Sequence, residues 1–222
     1  MNPKQVAGEK ATEYVQDGMA LGLGTGSTVR YFVEKLGELV AEGLDVVGVP
    51  TSERTEELAR KVGVPLSTLE KTPTLDLTVD GADEVDPNLN LIKGMGGALL
   101  REKMVASSSR EFIVIVDDSK VVEKLGTKSP LPVEVTQFGW TSVKEWIAKL
   151  GSIPNRRIIE GNPYLTDNQN YLLECEFKGI DDPHKLDADL HRLPGVVETG
   201  LFLDLTCRVI IGKDSGVEEI EK

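Results

Sequence analysis

The run Phe112-Ile113-Val114-Ile115-Val116 constrains this chain more than any other stretch. It is β-branched and unbroken by a polar residue. A strand of that kind belongs inside a parallel sheet that is covered on both faces. The sequence before it fits such a sheet. Val6, Ala7, Ala11, Tyr14 and Val15 recur at helical spacing and predict a helix ahead of a short apolar strand, Met19 to Leu23. Val29, Phe32, Val33 and Leu36 mark a second helix. Asp45 to Val49 reads as a strand, and Ser52 as the N-cap of a helix carrying Leu58 and Val62. Leu75, Leu77 and Val79 alternate as in a strand, and a further helix runs from Gly96 to about Ser108. Strands alternating with helices give an α/β fold with a parallel sheet.

The pattern changes at Ser129-Pro130-Leu131-Pro132. Beyond it the reading is strand 131–135, helix 141–150, strands 156–160 and 171–177, helix 183–193 and strand 196–201. That order, β-α-β-β-α-β, is ferredoxin-like. A strand at 207–211 and a helical turn or two at 217–222 return to the first domain. The expected organisation is a Rossmann-like parallel-sheet domain, 1–128 plus 205–222. A smaller ferredoxin-like α+β domain, 129–204, is inserted before the C-terminal strand.

Charge limits the partners. Lys plus Arg number 25 and Asp plus Glu 37, a formal net charge of −12. General nucleic-acid binding needs a basic face and is not expected. An anionic ligand must be held by a local positive site, because the global field repels it. Cys175 and Cys207 are too few for a disulfide scaffold and are expected as reduced thiols. The first residues lack the apolar core of a signal peptide, and no run is long enough to span a membrane. A cytoplasmic location and no membrane partner are expected.

The unusual residues follow strands, where open parallel sheets bind ligands. Gly24-Thr25-Gly26-Ser27-Thr28 places small residues and hydroxyls before a helix N-terminus, which suits a phosphate. A capped strand-to-helix turn is the alternative. Neither the dinucleotide fingerprint nor the P-loop is met, since Ser27 or Val29 stands at the third glycine position and no Gly-Lys-Ser/Thr follows. In Asp80-Gly81-Ala82-Asp83-Glu84-Val85-Asp86 four carboxylates crowd seven residues. This is not an EF-hand, because its glycine is misplaced and the terminal Glu is missing. The readings left are a solvated acidic turn, an oxygen-ligated divalent metal, or Asp80 and Asp83 bonded to sugar hydroxyls.

Lys93-Gly94-Met95-Gly96-Gly97 sets a lysine beside a helix start, and Glu102 follows on that helix. Its neighbours three and four removed are Ala98, Leu99, Val105 and Ala106, so no local ion pair holds it. Burial raises the pKa of such an acid and suits it to proton transfer. A structural bridge to a distant cation is the alternative. Lys120, after the strongest strand, is either a further anion contact or a solvated loop lysine. The two histidines, His184 and His191, lie far along the chain from the glycine turns, which argues against a Ser-His-Asp triad.

Taken together, Thr25-Gly26-Ser27-Thr28, Asp80-Gly81-Ala82-Asp83 and the Lys93–Lys103 segment resemble the type A ribose-5-phosphate isomerases. Matching pieces run in family order through nearly the whole chain. Met95, where some relatives carry glycine, is one departure. The resemblance implies interconversion of ribose 5-phosphate and ribulose 5-phosphate, in the pentose phosphate pathway, with no metal or organic cofactor. It also implies a homodimer or homotetramer. By motif it makes Glu102 the proton-shuttling base. The chemistry of such a reaction adds Lys93 as the natural donor to the developing oxyanion and either Asp80 or Asp83 as the catalytic relay that opens the sugar ring. It assigns substrate binding to Thr25, Gly26, Ser27, Thr28, Asp80, Gly81, Ala82, Asp83, Lys93, Gly94, Met95, Gly96 and Lys120. Lys4 is a weaker phosphate candidate. Two alternatives stand beside it. One is an amino-sugar-phosphate deaminase of similar fold, disfavoured because ring opening there recruits a histidine. The other is a non-catalytic sugar-phosphate sensor, disfavoured because the chain is acidic and its first helix starts near Met1.

Overall fold

In the computed structural model, which describes residues 2–222, the alternating segments build a six-stranded sheet. Its order is Gly216–Glu221, Arg208–Lys213, Ser109–Asp117, Leu75–Asp80, Ala20–Leu23, Val47–Pro50. All neighbours run parallel except Gly216–Glu221, which is antiparallel to Arg208–Lys213. Counted along the chain, the five parallel strands lie in the order 2-1-3-4-5. The winding reverses between Ala20–Leu23 and Leu75–Asp80. Such a switch point opens a crevice beyond the carboxyl ends of its two strands. Gly24-Thr25-Gly26 and Asp80-Gly81-Ala82 leave from those two strands.

One face of the sheet (Leu21, Leu23, Val79, Ile113, Ile115) packs against the helices Pro3–Ala11 and Val29–Ala41 through Ala7, Phe32 and Leu36. Val105, on the helix Leu99–Ser107, packs with Val49 and Leu75. Ser52 caps the helix Glu53–Lys61 as its sequence predicts, accepting the Thr55 N–H at 3.2 Å.

The C-terminal segment departs from expectation. Residues 217–222 are not helical: 217–221 lie in the strand Gly216–Glu221. Asp214 and Ser215 form a two-residue hairpin turn, and Gly216 adopts a φ of +135°. Glutamates on the returning strand meet Arg208 and Lys213 across the ladder. The turn residues were the signal for a hairpin.

The chain divides into two compact units, Met1–Ala82 with Arg101–Val121 and Leu205–Lys222, and Asp83–Leu100 with Val122–Asp204. The second contains a four-stranded antiparallel sheet in the order Val196–Thr199, Leu131–Val135, Tyr171–Glu176, Ile153–Arg156. Helices Trp140–Ala148 and Pro183–His191 complete the β-α-β-β-α-β order. Its core includes Val133, Val135, Val143, Ile147, Leu173 and Leu190. The strand expected at 156–160 begins at Ile153 instead, and Ile158–Ile159 turn into a small hairpin with Asn162–Pro163.

Residues 83–100 pack with this second unit, although the sequence divides the chain at 128/129. Two-residue strands at Glu84–Val85 and Leu91–Ile92 pair with each other and with Leu201–Phe202. Too short to show a period, they are invisible to pattern reading. The buried Glu84 carboxylate fixes them by accepting backbone N–H bonds from Gly126 (2.6 Å), Lys128 (2.6 Å) and Ser129 (2.5 Å). Among the described residues no helix is long and apolar enough to cross a membrane.

Two stability predictions arise here. Glu84→Ala strips three N–H groups of their acceptor, so urea unfolding should show a loss of about 3 kcal/mol or more. A loss below about 0.5 kcal/mol, the surface-substitution range, would refute the clamp. His191 meets Asp187 at 3.4 Å and Glu198 at 3.0 Å, tying the end of one helix to Val196–Thr199. Hydrogen bonding to Asp187, then to Glu198, raises its pKa from 6.5 to about 10. The bonded imidazolium therefore stabilises the fold fully below pH 6.5, and that contribution disappears as pH rises through about 10. Between those limits the thermal midpoint should fall further in the wild type than in His191→Gln. Parallel curves would show that the cluster contributes nothing.

Candidate functional site

Gly24 leaves the strand Ala20–Leu23 with its N–H on the Val79 carbonyl at 3.0 Å. A Cβ there would stand 2.2 Å from Asp80 Oδ1 and 2.6 Å from Asp80 Cα. The close approach of two strand ends, rather than flexibility, demands glycine. Asp80 is wholly buried at the end of Leu75–Asp80. Its Oδ1 accepts the N–H of Thr25 at 3.0 Å and of Gly81 at 2.7 Å. Backbone dipoles thus hold the carboxylate where the sheet winding reverses.

The Thr25 hydroxyl does not face outward as a ligand donor. It lies in a buried cluster with the hydroxyls of Thr51 (2.7 Å), Ser52 (2.7 Å) and Thr55 (3.1 Å). Thr51 and Thr55 donate onward to the carbonyls of Leu23 and Gly24. With both its N–H and its hydroxyl engaged, Thr25 serves as a strut for the turn. Ser52, expected from the sequence only as an N-cap, has this second task together with Thr51. Gly26 and Ser27 are exposed, and the Ser27 hydroxyl accepts from Lys4 Nζ at 3.1 Å. Thr28 is buried at the start of Val29–Ala41 and makes no side-chain capping bond. Gly81 and Ala82 are half-buried. Lys120 is half-buried in the short turn Asp118–Lys120 that follows Ser109–Asp117.

The acidic run separates by task. Glu84 holds backbone donors, as above. Asp86 Oδ1 accepts the N–H groups of Asn88 and Asn90, each at 2.9 Å. Asp83 is half-buried, and its Oδ2 accepts the Met95 N–H at 2.9 Å. The crowding seen in sequence is therefore relieved by backbone N–H groups distributed along two turns.

Lys93 is 2% exposed, donates its backbone N–H to the Gly200 carbonyl at 2.9 Å, and holds its ammonium 5.3 Å from the Phe202 ring centre. The loop after it closes through Gly97 N–H to Gly94 carbonyl at 2.9 Å. Met95 and Gly96 are exposed at its tip, and Gly94 is buried. Arg157, absent from every sequence motif, donates to the Met95 carbonyl at 3.0 Å. Only its place in an Arg-Arg pair within an acidic chain marked it out.

Glu102 is 3% exposed on Leu99–Ser107. It shares a helix face with Val105 and Ala106, three and four residues on. Val105 Cγ1 would lie 2.5 Å from a Cβ at Gly22, so that face rests on the sheet. Burial pushes the Cys175 thiol up, out of nucleophile range. His184 pairs with Asp204, and His191 with Asp187 and Glu198, so both histidines are engaged within the smaller unit.

Known proteins share this architecture. The family model described as Ribose 5-phosphate isomerase A (phosphoriboisomerase A) matches residues 47–216. A protein named ribose-5-phosphate isomerase A from Parvibaculum lavamentivorans is 52% identical over 225 residues, covering 98% of this chain and 97% of its own. Its namesake from Bacillus mycoides is 49% identical over 220 residues, covering 99% of each. A solved D-ribose-5-phosphate isomerase in complex with phospho-erythronic acid matches at a TM-score of 0.97 and 41% identity, with both chains covered in full. The ribose 5-phosphate isomerase A of Methanocaldococcus jannaschii matches at 0.95 and 39%, over 100% of this chain and 99% of its own.

The packing at Gly24 predicts a contrast. Gly24→Ala drives a methyl into Asp80 and should cost about 1–3 kcal/mol in urea unfolding. Gly26→Ala meets open space and should cost only the strain of its positive φ, about 1–2 kcal/mol. Its exposed turn should relax part of that strain, so Gly24→Ala is expected to be the less stable of the two. A neutral Gly24→Ala would refute the close approach.

Proposed function

The chain belongs to the ribose 5-phosphate isomerase A family and is an isomerase of ribose 5-phosphate and ribulose 5-phosphate, and we propose that its Glu102 carries the proton of that reaction. The observation that carries this reading is a carboxylate 3% exposed on a helix face that lies against the parallel sheet. In a crossover, the helix runs back toward the strand beginnings, so its early residues lie nearer the strand carboxyl ends. Glu102 comes one turn, about 5 Å, before Val105 and Ala106 on that path.

The chemistry sets the remaining roles. Glu102 takes the proton from C2 of the open aldose, the C1 oxygen gains negative charge, and an enediolate forms. The hydroxyl proton at O2 passes to O1, and Glu102 returns its proton to C1, leaving a ketone at C2. Atoms and electrons balance without a redox partner. Lys93, a buried cation, stabilises the developing oxyanion. Asp80 or Asp83 relays the proton that opens the furanose ring. The exposed Gly26-Ser27 turn with Lys4, together with Lys120, supplies the local positive site for the phosphate. Gly81, Ala82, Gly94, Met95 and Gly96 line the sugar. Thr25 supports the turn from within, and Thr28 stands at the start of the helix that follows it. Phospho-erythronic acid, held by the similar solved isomerase, supports this reading: its carboxylate imitates the charge and planarity of an enediolate.

The reading extends to the pentose phosphate pathway in the cytoplasm, as a homodimer or homotetramer. Exposed Phe138, Ile153, Ile158, Ile159 and Leu165, all on the smaller unit, support self-association.

Glu102→Gln should keep the fold and bind phospho-erythronic acid, but lose about 10²–10⁴ in turnover together with proton–deuterium exchange at C1 and C2. Lys93→Ala should lower kcat by about 10²–10³ and raise KM less. Wild-type exchange in Glu102→Gln would remove it from the reaction, and an unchanged kcat in Lys93→Ala would remove its oxyanion role.

A further inference from the structure

Arg157 stands outside every motif that marks the reaction, yet its contacts converge on the loop that carries Lys93. Its side chain is 11% exposed. Nε donates to Glu174 Oε1 at 2.7 Å, and the guanidinium carbon lies 5.3 Å from the Tyr164 ring centre. These two contacts set the plane of the fork. Nη1 then donates to the Met95 carbonyl at 3.0 Å, and Nη2 lies 3.8 Å from Met95 Sδ. The N–H of that same residue donates to Asp83 Oδ2 at 2.9 Å. One residue of a glycine-rich loop is thus gripped at both its backbone groups. Tyr164 presses on the same loop: a Cβ at Gly97 would stand 2.0 Å from its hydroxyl oxygen.

A loop with glycine at 94, 96 and 97 has many backbone states to lose. Left alone, it would have to be ordered at each turnover, with a penalty in rate. A cover for the loop needs only apolar bulk. A buried guanidinium is costly unless its donors are used, and here they point in fixed directions at two acceptors.

We propose that Arg157 is a positioning residue: through the Met95 carbonyl it sets the conformation of Lys93–Gly97 and the orientation of the Asp83 carboxylate. Glu174 and Tyr164 hold the fork for that purpose. The proposal rests on the roles given above to Lys93 and Asp83. It predicts an effect on turnover rather than on substrate affinity or global stability.

The test compares Arg157→Ala, Arg157→Lys, Glu174→Gln and Lys93→Ala with the wild type, by kcat and KM for ribose 5-phosphate and by thermal midpoint. Folded Arg157→Ala should lose about 10- to 100-fold in kcat, with KM changed less than about threefold. Arg157→Lys keeps the charge but not the fork, and should recover only part of that loss. Glu174→Gln should lose kcat in the same selective way, to a smaller extent. If Arg157→Ala does not fold, the other two variants carry the test. Wild-type kcat in the folded Arg157 variants, full recovery by lysine, or a drop in thermal midpoint alone would overturn the proposal. Failure of the underlying reading is distinct, because it appears as a fully active Lys93→Ala.

Discussion

The Asp80 carboxylate at the end of its strand is the contact on which the rest of the site depends. It is wholly buried, takes the N–H groups of Thr25 and Gly81, and requires glycine at position 24. A buried acid is tolerated only where such donors replace water. Here they come from the two chain segments that leave the neighbouring strands at the switch point of the sheet. The same interaction closes the glycine turn and holds the carboxyl ends of the two strands together. The Thr25, Thr51, Ser52 and Thr55 hydroxyls brace it from below.

Charge is organised on the same principle. The chain is acidic overall, with a formal net charge of −12, but its substrate is a phosphate. Glu84 and Asp86 are held by backbone donors, which engages two of the four crowded carboxylates in local structure. The cations assigned to the substrate are few and individually placed: Lys4 on the Ser27 hydroxyl, Lys120 after a strand, and Lys93 against Phe202. Ammonium groups at single positions can hold an anion that a general basic surface would hold less selectively.

Long elements with clear periods were legible in the sequence. Phe112–Val116 lies within the strand Ser109–Asp117, the ferredoxin-like order is present, and Ser52 caps its helix. What escaped was short or non-local. The two-residue strands at Glu84–Val85 and Leu91–Ile92 carry no period, so the packing of residues 83–100 with the smaller unit was hidden. The terminal strand carries no alternating apolar period, and only the Asp214-Ser215 turn before it signals a hairpin rather than a helix. At the site, residue identity marked out candidate groups but not where each donor points. Thr25 is the example, since its hydroxyl turns inward. Arg157 is the converse: 62 residues from Met95 along the chain, it reaches that loop only through the fold.

These features meet in one chemical claim, that a single buried acid moves hydrogen between adjacent carbons of an open pentose phosphate. The most direct measurement is a crystal structure of this protein with phospho-erythronic acid bound. The expected result places a Glu102 carboxylate oxygen within about 3.5 Å of the analogue's carboxyl carbon, which stands for C2 of the pentose, the distance of a reacting pair. Glu102 oxygens turned away from that carbon, and beyond reach even through one bridging water, would contradict it.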